Sequence, residues 1–207
     1  GLQVLWRPSF MDLDAWVNWE SFIFDEDNHQ EAFTVGLSAS LKANGSARKT
    51  HVYFPLQILM QHRGGEVNTT ADERQIKTWM NAAAGVGLTL RPECSLVSRL
   101  NFEGMAMYYS QVAGNMLPFD KGHAFYVKTE ADMWRFRVRA AYWDANKFVS
   151  IFGNPLYGCV GIDDESYVMP RNRMASVRLS YAQDLGHGFA WGGYADLFNN
   201  FPSDASS

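Results

Sequence analysis

Cysteine is nearly absent from this chain of 207 residues: there are two, Cys94 and Cys159, and they form no metal-ligand or redox spacing. Apolar runs long enough for a transmembrane helix, about 18 residues, are missing too; membrane crossing is then left to strands, whose signal is alternation. Charge is sparse, at 19% of residues against the usual ~25%. The formal net charge of -4 gives no whole-chain attraction to nucleic acid. No basic n-region or apolar h-region follows Gly1, so no signal peptide is visible.

What is abundant is aromatic: Trp 7, Tyr 9 and Phe 14. The stretch that organises the rest is Trp134 to Trp143, WRFRVRAAYW. Strand side chains point to opposite faces with period two, so Arg135, Arg137 and Arg139 share one face and Phe136, Val138 and Ala140 the other. The same period recurs along the chain. Phe33, Val35 and Leu37 oppose Thr34, Gly36 and Ser38, and Phe54, Leu56 and Ile58 oppose Tyr53 and Gln57. Val86 and Leu88 oppose Gly85 and Gly87; Leu100 and Phe102 oppose Arg99, Asn101 and Glu103; Val177 and Leu179 oppose Arg178. Asn18 and Glu20, and later Asp196, fall on the polar side of their own strands. About ten strands follow, joined as consecutive hairpins, with turns expected at Arg91–Glu93, Glu130–Asp132 and Asp184–Gly188 and long connections at His62–Gln75, Gln111–Gly122 and Asp144–Arg173. The expectation is an all-β, up-and-down antiparallel transmembrane β-barrel, one domain over 1–207. If the tight turns are periplasmic, the first strand starts and the last strand ends on the external side, which predicts further strands missing at both ends.

Alternation does not say which face looks outward. Three features favour a membrane barrel with its oil outside. The polar faces are rich in Gly, Ser and Thr rather than the Lys and Glu of a solvent surface. Aromatics gather near strand ends, as in interfacial girdles, and short connections alternate with long ones. An arginine facing lipid at the midplane costs roughly 2–4 kcal/mol, so three in a row would consume the ~5–15 kcal/mol stability of a domain. The expected lumen-lining set is therefore Asn18, Glu20, Arg99, Asn101, Glu103, Arg135, Arg137, Arg139, Arg178 and Asp196. The expected lipid-facing set is Phe33, Val35, Leu37, Phe54, Leu56, Ile58, Val86, Leu88, Leu100, Phe102, Phe136, Val138, Val177 and Leu179. His62, Arg63, Gly64, Gly65 and Glu66, with Phe152, Gly153, Pro155, Leu156 and Tyr157, are expected in external loops. The second of these segments is apolar for such a loop and either folds back into the lumen, binds a partner or packs on the rim.

With these residues in place the chain resembles outer-membrane β-barrel proteins of Bacteroidetes. The segments that carry the resemblance are Trp16-Val17-Asn18-Trp19-Glu20, Gln30 to Ser38, His62 to Glu66, Ala141-Tyr142-Trp143 and Phe152 to Tyr157. It implies a location, the bacterial outer membrane, and a fold with further strands on either side. It carries over no activity and no named site.

Nucleophile elbows, metal clusters and phosphate loops are not found, and His51, His123 and His187 have no ligand spacing. Glu20 and Glu103 could form a carboxylate pair, but nothing in the sequence places them together. The expectation is no enzyme, no cofactor and no metal, with an outer-membrane lipase or protease as the enzymatic alternative. The first functional reading is a channel or porin-like, transport-associated protein whose arginine-lined lumen favours small anionic solutes. The second is a non-conducting structural or assembly subunit of an outer-membrane complex, its lumen charges closed into an Arg–Glu/Asp network. The third is a soluble, lipocalin-like binder of an apolar ligand. Expected partners are outer-membrane lipid and other outer-membrane proteins.

Overall fold

In the computed structural model the described residues are 1–22, 30–45, 48–64, 76–161 and 168–201. Ten strands lie in chain order in one antiparallel sheet: β1 (Leu2–Trp6), β2 (Met11–Ser21), β3 (Ala32–Lys42), β4 (Thr50–Arg63), β5 (Lys77–Leu90), β6 (Arg99–Ala113), β7 (Lys121–Met133), β8 (Phe136–Asn146), β9 (Arg171–Gly186) and β10 (Phe189–Phe201). β1 and β10 are the two edges. Each strand pairs with its sequence neighbour, the arrangement that consecutive hairpins dictate. β2 to β10 run 11 to 16 residues, enough for the ~9–11 that a tilted strand needs to cross a bilayer. No helix among the described residues is long and apolar enough to do so.

The two faces differ in cover as well as in chemistry. One row of neighbours runs Tyr53, Gly87, Glu103, Lys128, Ala141, Ser176 and Phe198 across β4 to β10. Side chains on this face from β2 to β8 converge on one cleft, so the face is concave. On β6 and β7 the concave residues are covered (Asn101 6% exposed, Ala124 0%) while the convex ones stand open (Phe102 44%, Val127 56%). A fold that covers its polar face and exposes its apolar one inverts a soluble ligand-binding barrel, and that alternative is set aside.

The main hydrophobic cluster sits on the concave face near the long-loop end, built from Tyr109, Ala124, Trp143, Ala145 and Met174 with Phe148, Val149 and Cys159. Those last three come from the 147–170 connection, which folds back over the sheet. A Cβ on Gly122 would lie 2.0 Å from the Lys147 carbonyl oxygen, so glycine is what lets the connection cross so closely. Its 3-10 turn, Pro155–Tyr157, places Tyr157 against Trp143 with ring centroids 5.2 Å apart. The described part of this segment thus lies against the sheet. Cys159 is buried there while Cys94 is exposed in the β5–β6 connection, and both are free.

Three sequence expectations are corrected. Glu130 and Asp132 are strand residues; the β7–β8 turn is Trp134–Arg135, with Trp134 at φ 56°. No glycine or asparagine marks this turn, so its sequence signal was absent. Arg135 accordingly leaves the strand and stacks over the Trp134 ring at 4.6 Å. His62 and Arg63 are the last residues of β4 rather than loop residues, held by pairing with Thr78 and Lys77. Gly64 opens the loop at φ 120°, and Gly65 and Glu66 lie outside the described residues. Pro55 sits mid-strand at a gap: the pairing of β4 with β5 breaks between Tyr53 and Leu56, where proline has no N–H to give.

Candidate functional site

The concave face carries a five-membered ion-pair cluster and two further ion pairs in the half nearer the short turns. Arg99 bridges Glu130 at 2.5 Å and Asp132 at 2.8 Å; Arg137 bonds Asp132 at 2.6 Å, and Arg139 bonds Glu130 at 2.8 Å. Arg178 and Asp196 make a two-pronged pair at 2.6 and 2.7 Å. Lys128 meets Glu103 at 2.9 Å, and the Tyr53 hydroxyl donates to the other oxygen of Glu103 at 2.7 Å. Asn101 accepts from the buried Thr89 hydroxyl at 2.7 Å. Two-pronged guanidinium–carboxylate geometry is the strong form of such pairing, and it uses up the charge of each arginine locally. The sequence located Arg99, Arg137, Arg139, Arg178, Glu103 and Asp196 on one face. It missed Glu130, Asp132 and Lys128, because the turn was placed over the first two.

Glu20 lies apart from Glu103. It accepts from the Thr34 hydroxyl at 2.5 Å and approaches Arg63 at 3.9 Å, so the two carboxylates have separate partners. Among the described residues no group of three or more His, Cys, Asp and Glu side chains could hold a metal ion.

A cleft of about 460 Å³ occupies the other half of the concave face. Trp16, Leu59, Met107, Tyr126 and Trp143 wall it, and Phe152 and Tyr157 of the folded-back segment close over it. Asn81 ties that segment down: its amide donates to the Val149 carbonyl at 2.8 Å and accepts from the Ile151 N–H at 3.0 Å.

The convex face carries an ion pair, Arg171 to Asp144 at 2.8 Å, and elsewhere a polar pair within an aromatic row. Trp19, Phe33 and His62 line up across β2, β3 and β4 with ring centroids 5.8 and 5.0 Å apart. His62 Nδ1 lies 2.8 Å from the hydroxyl of its cross-strand neighbour Thr78, which is buried. The row is at the long-loop end of the sheet. Trp19 stacks on Phe22 and donates its indole N–H to Glu31 at 2.8 Å.

An all-β, up-and-down antiparallel sheet of ten strands with apolar side chains exposed on its convex face is consistent with an open piece of a β-barrel. The chain belongs to the Lipid A 3'-O-deacylase-type family, whose model matches residues 1–207. No curated protein and no solved structure matches it. Family and fold agree on an outer-membrane barrel protein. The family is named for removal of an acyl chain from lipid A, which overturns the expectation that the chain is not an enzyme. The sequence held no signature for such an activity; His62 and Thr78, 16 positions apart, meet only through the β4–β5 register.

Proposed function

We propose that this protein is an outer-membrane β-barrel that hydrolyses an ester-linked acyl chain of an acylated saccharide lipid. The observation that carries the reading is the family match over the whole chain. In this reading the convex residues, from Phe33 and Val35 to Val177 and Leu179, face lipid. The concave ones, Asn18, Glu20, Arg99, Asn101, Glu103, Arg137, Arg139, Arg178 and Asp196, line the lumen. The long-loop end faces outward, which sets His62 at the level where a lipid's ester groups meet its headgroup.

The chemistry follows from the pair. The mechanism requires the tautomer in which His62 Nδ1–H donates to Thr78 Oγ1, 2.8 Å away, so that Nε2 is free as a base. Nε2 takes a proton from water as the oxygen attacks the ester carbonyl. The tetrahedral intermediate collapses, the C–O bond to the sugar breaks, and the proton passes to the sugar oxygen. One ester and one water give one fatty acid and one sugar hydroxyl. Thr78 is a positioning residue, acting through His62.

The test is fatty-acid release from lipid A by the purified barrel in detergent micelles. His62→Ala should lose about 10²–10⁴-fold in rate, the usual contribution of a general base. Thr78→Val should lower kcat with little change in KM and distort the pH profile, and Thr78→Ser should restore both. A folded His62→Ala barrel of unchanged rate would move the activity elsewhere.

The closed pairing of the arginines and the segment folded onto the concave face both weigh against a conducting channel with a cationic path.

A further inference from the structure

The convex face is not oily along its whole length. Near the long-loop end of β6 to β9 the register sets Tyr108, His123, Asn146 and Arg171 in one row of cross-strand neighbours. Lys121 is the next residue of this face above the row, and Asp144 the next below it. Lys121, His123 and Arg171 are exposed, and Lys121 has no partner among the described residues. Arg171 gives Nε and Nη2 to Asp144 at 3.1 and 2.8 Å, and its Nη1 has no partner among the described residues. Arg173, opposite Asp144, has a partner of its own. A cation on a lipid-facing strand is strongly disfavoured at mid-bilayer but tolerated near the interface, so this row marks the level of lipid headgroups.

Below the row the same face is hollow. The depression has a volume of about 480 Å³, with Gly104 and Ala140 as its floor and Val86, Phe102, Val127 and Tyr142 as its walls. A Cβ on Gly104 would meet nothing within 4 Å, so the floor is open. Tyr108 to Gly104 on β6, and His123 to Val127 on β7, are each four positions, about 13 Å at ~3.3 Å per residue.

We propose that this part of the convex face binds one phosphate-bearing membrane lipid, its phosphate between Lys121 and Arg171 and one acyl chain in the hollow at Gly104. Charge selects the head. Lys121, Arg171 and Asp144 sum to one positive charge, and both cations keep N–H groups to spare for phosphate oxygens. They stand two strands apart, about 10 Å, within reach of two long side chains from either side of one phosphate. The hollow selects a lipid over a soluble anion, because an apolar depression 13 Å away, by the same spacing, serves only a tethered chain. The site rests on the reading that the convex face meets lipid, and not on ester hydrolysis.

The probe is a phosphatidylglycerol with a diazirine in the tail of one acyl chain. It is photolysed with the full chain in detergent micelles, and adducts are mapped by peptide mass spectrometry. Adducts should concentrate on Phe102, Gly104, Val127 and Tyr142, saturate with probe and be competed by unlabelled phosphatidylglycerol. Diacylglycerol with the same chains should compete more than tenfold less well, and inorganic phosphate not at all. Lys121→Gln and Arg171→Gln should each lower the competed yield about fivefold, the usual worth of one basic residue against an anionic lipid. Gly104→Leu, which fills the hollow where there is room, should abolish that yield with heat-modifiable migration intact. Leu56 and Leu179, exposed on the same face and clear of the site, should label without competition. A labelled convex face with no competed excess at the hollow would overturn the site alone, whereas Leu56 and Leu179 left unlabelled would overturn the lipid-facing reading with it. Equal competition by diacylglycerol, or unchanged yield in both charge variants, would overturn the phosphate contact, and competition by inorganic phosphate would overturn the lipid. Labelling reads binding and not cleavage, so its failure is separable from a failure of fatty-acid release.

Discussion

How closely side chains approach the concave face is set by single residues. Gly87 is the sharpest case: a Cβ there would lie 2.0 Å from the Tyr53 ring, whose hydroxyl serves Glu103. Gly87→Val should displace Tyr53 and destabilise the barrel by about 1–3 kcal/mol, the usual cost of overpacking. A lower temperature for loss of heat-modifiable migration would show it, and an unchanged one would mean Tyr53 has room to move. The sequence read Gly85 and Gly87 as small residues of a crowded face, and their neighbours give that reading a cause. It did not give Glu130 and Asp132 their role, because an acidic pair beside an alanine looks like a turn until the register sets Arg137 and Arg139 opposite. Cys94 also shows context at this scale. Backbone N–H groups of Val97 and Leu96 hold its thiol below the usual value, so its thiolate persists to lower pH than that of a free cysteine.

At the scale of elements, the 147–170 connection is the one whose position alternation could not supply. It bears on the concave face through Phe148, Val149 and Tyr157, and Asn81 is its clamp. Asn81→Ala removes two hydrogen bonds and strands a carbonyl and an N–H, a loss of about 2 kcal/mol to the docked segment. Cys159, 1% exposed within that segment, reports it. In the wild-type protein Cys94 should alkylate quickly and Cys159 only on unfolding; in Asn81→Ala, Cys159 should alkylate many-fold faster with the barrel still folded. Equal protection in both proteins would show that the apolar contacts suffice without the clamp. The β7–β8 turn teaches the converse lesson. Trp134 adopts a left-handed backbone with no glycine to announce it, and the hairpin's two-residue loop, rather than residue preference, imposes that conformation.

For the whole molecule, the decisive property is which face is covered. Apolar side chains stand exposed on the convex face of every strand from β4 to β10, and paired charges fill part of the concave face. In planar bilayers the purified barrel should therefore give no steady conductance steps, and Arg137→Ser with Arg139→Ser should create no anion-selective path. Anion-selective steps from the wild type would restore the channel reading. The sequence by itself determined the ten strands, their order and the composition of each face, because period-two alternation and turn chemistry are local. It did not determine the ion-pair partners, the cleft, the docked segment or the His62–Thr78 pair. Each of these joins residues from different strands or a strand and a distant loop, and such contacts exist only once register and curvature are fixed; a shift of one residue would send every one of them to the opposite face.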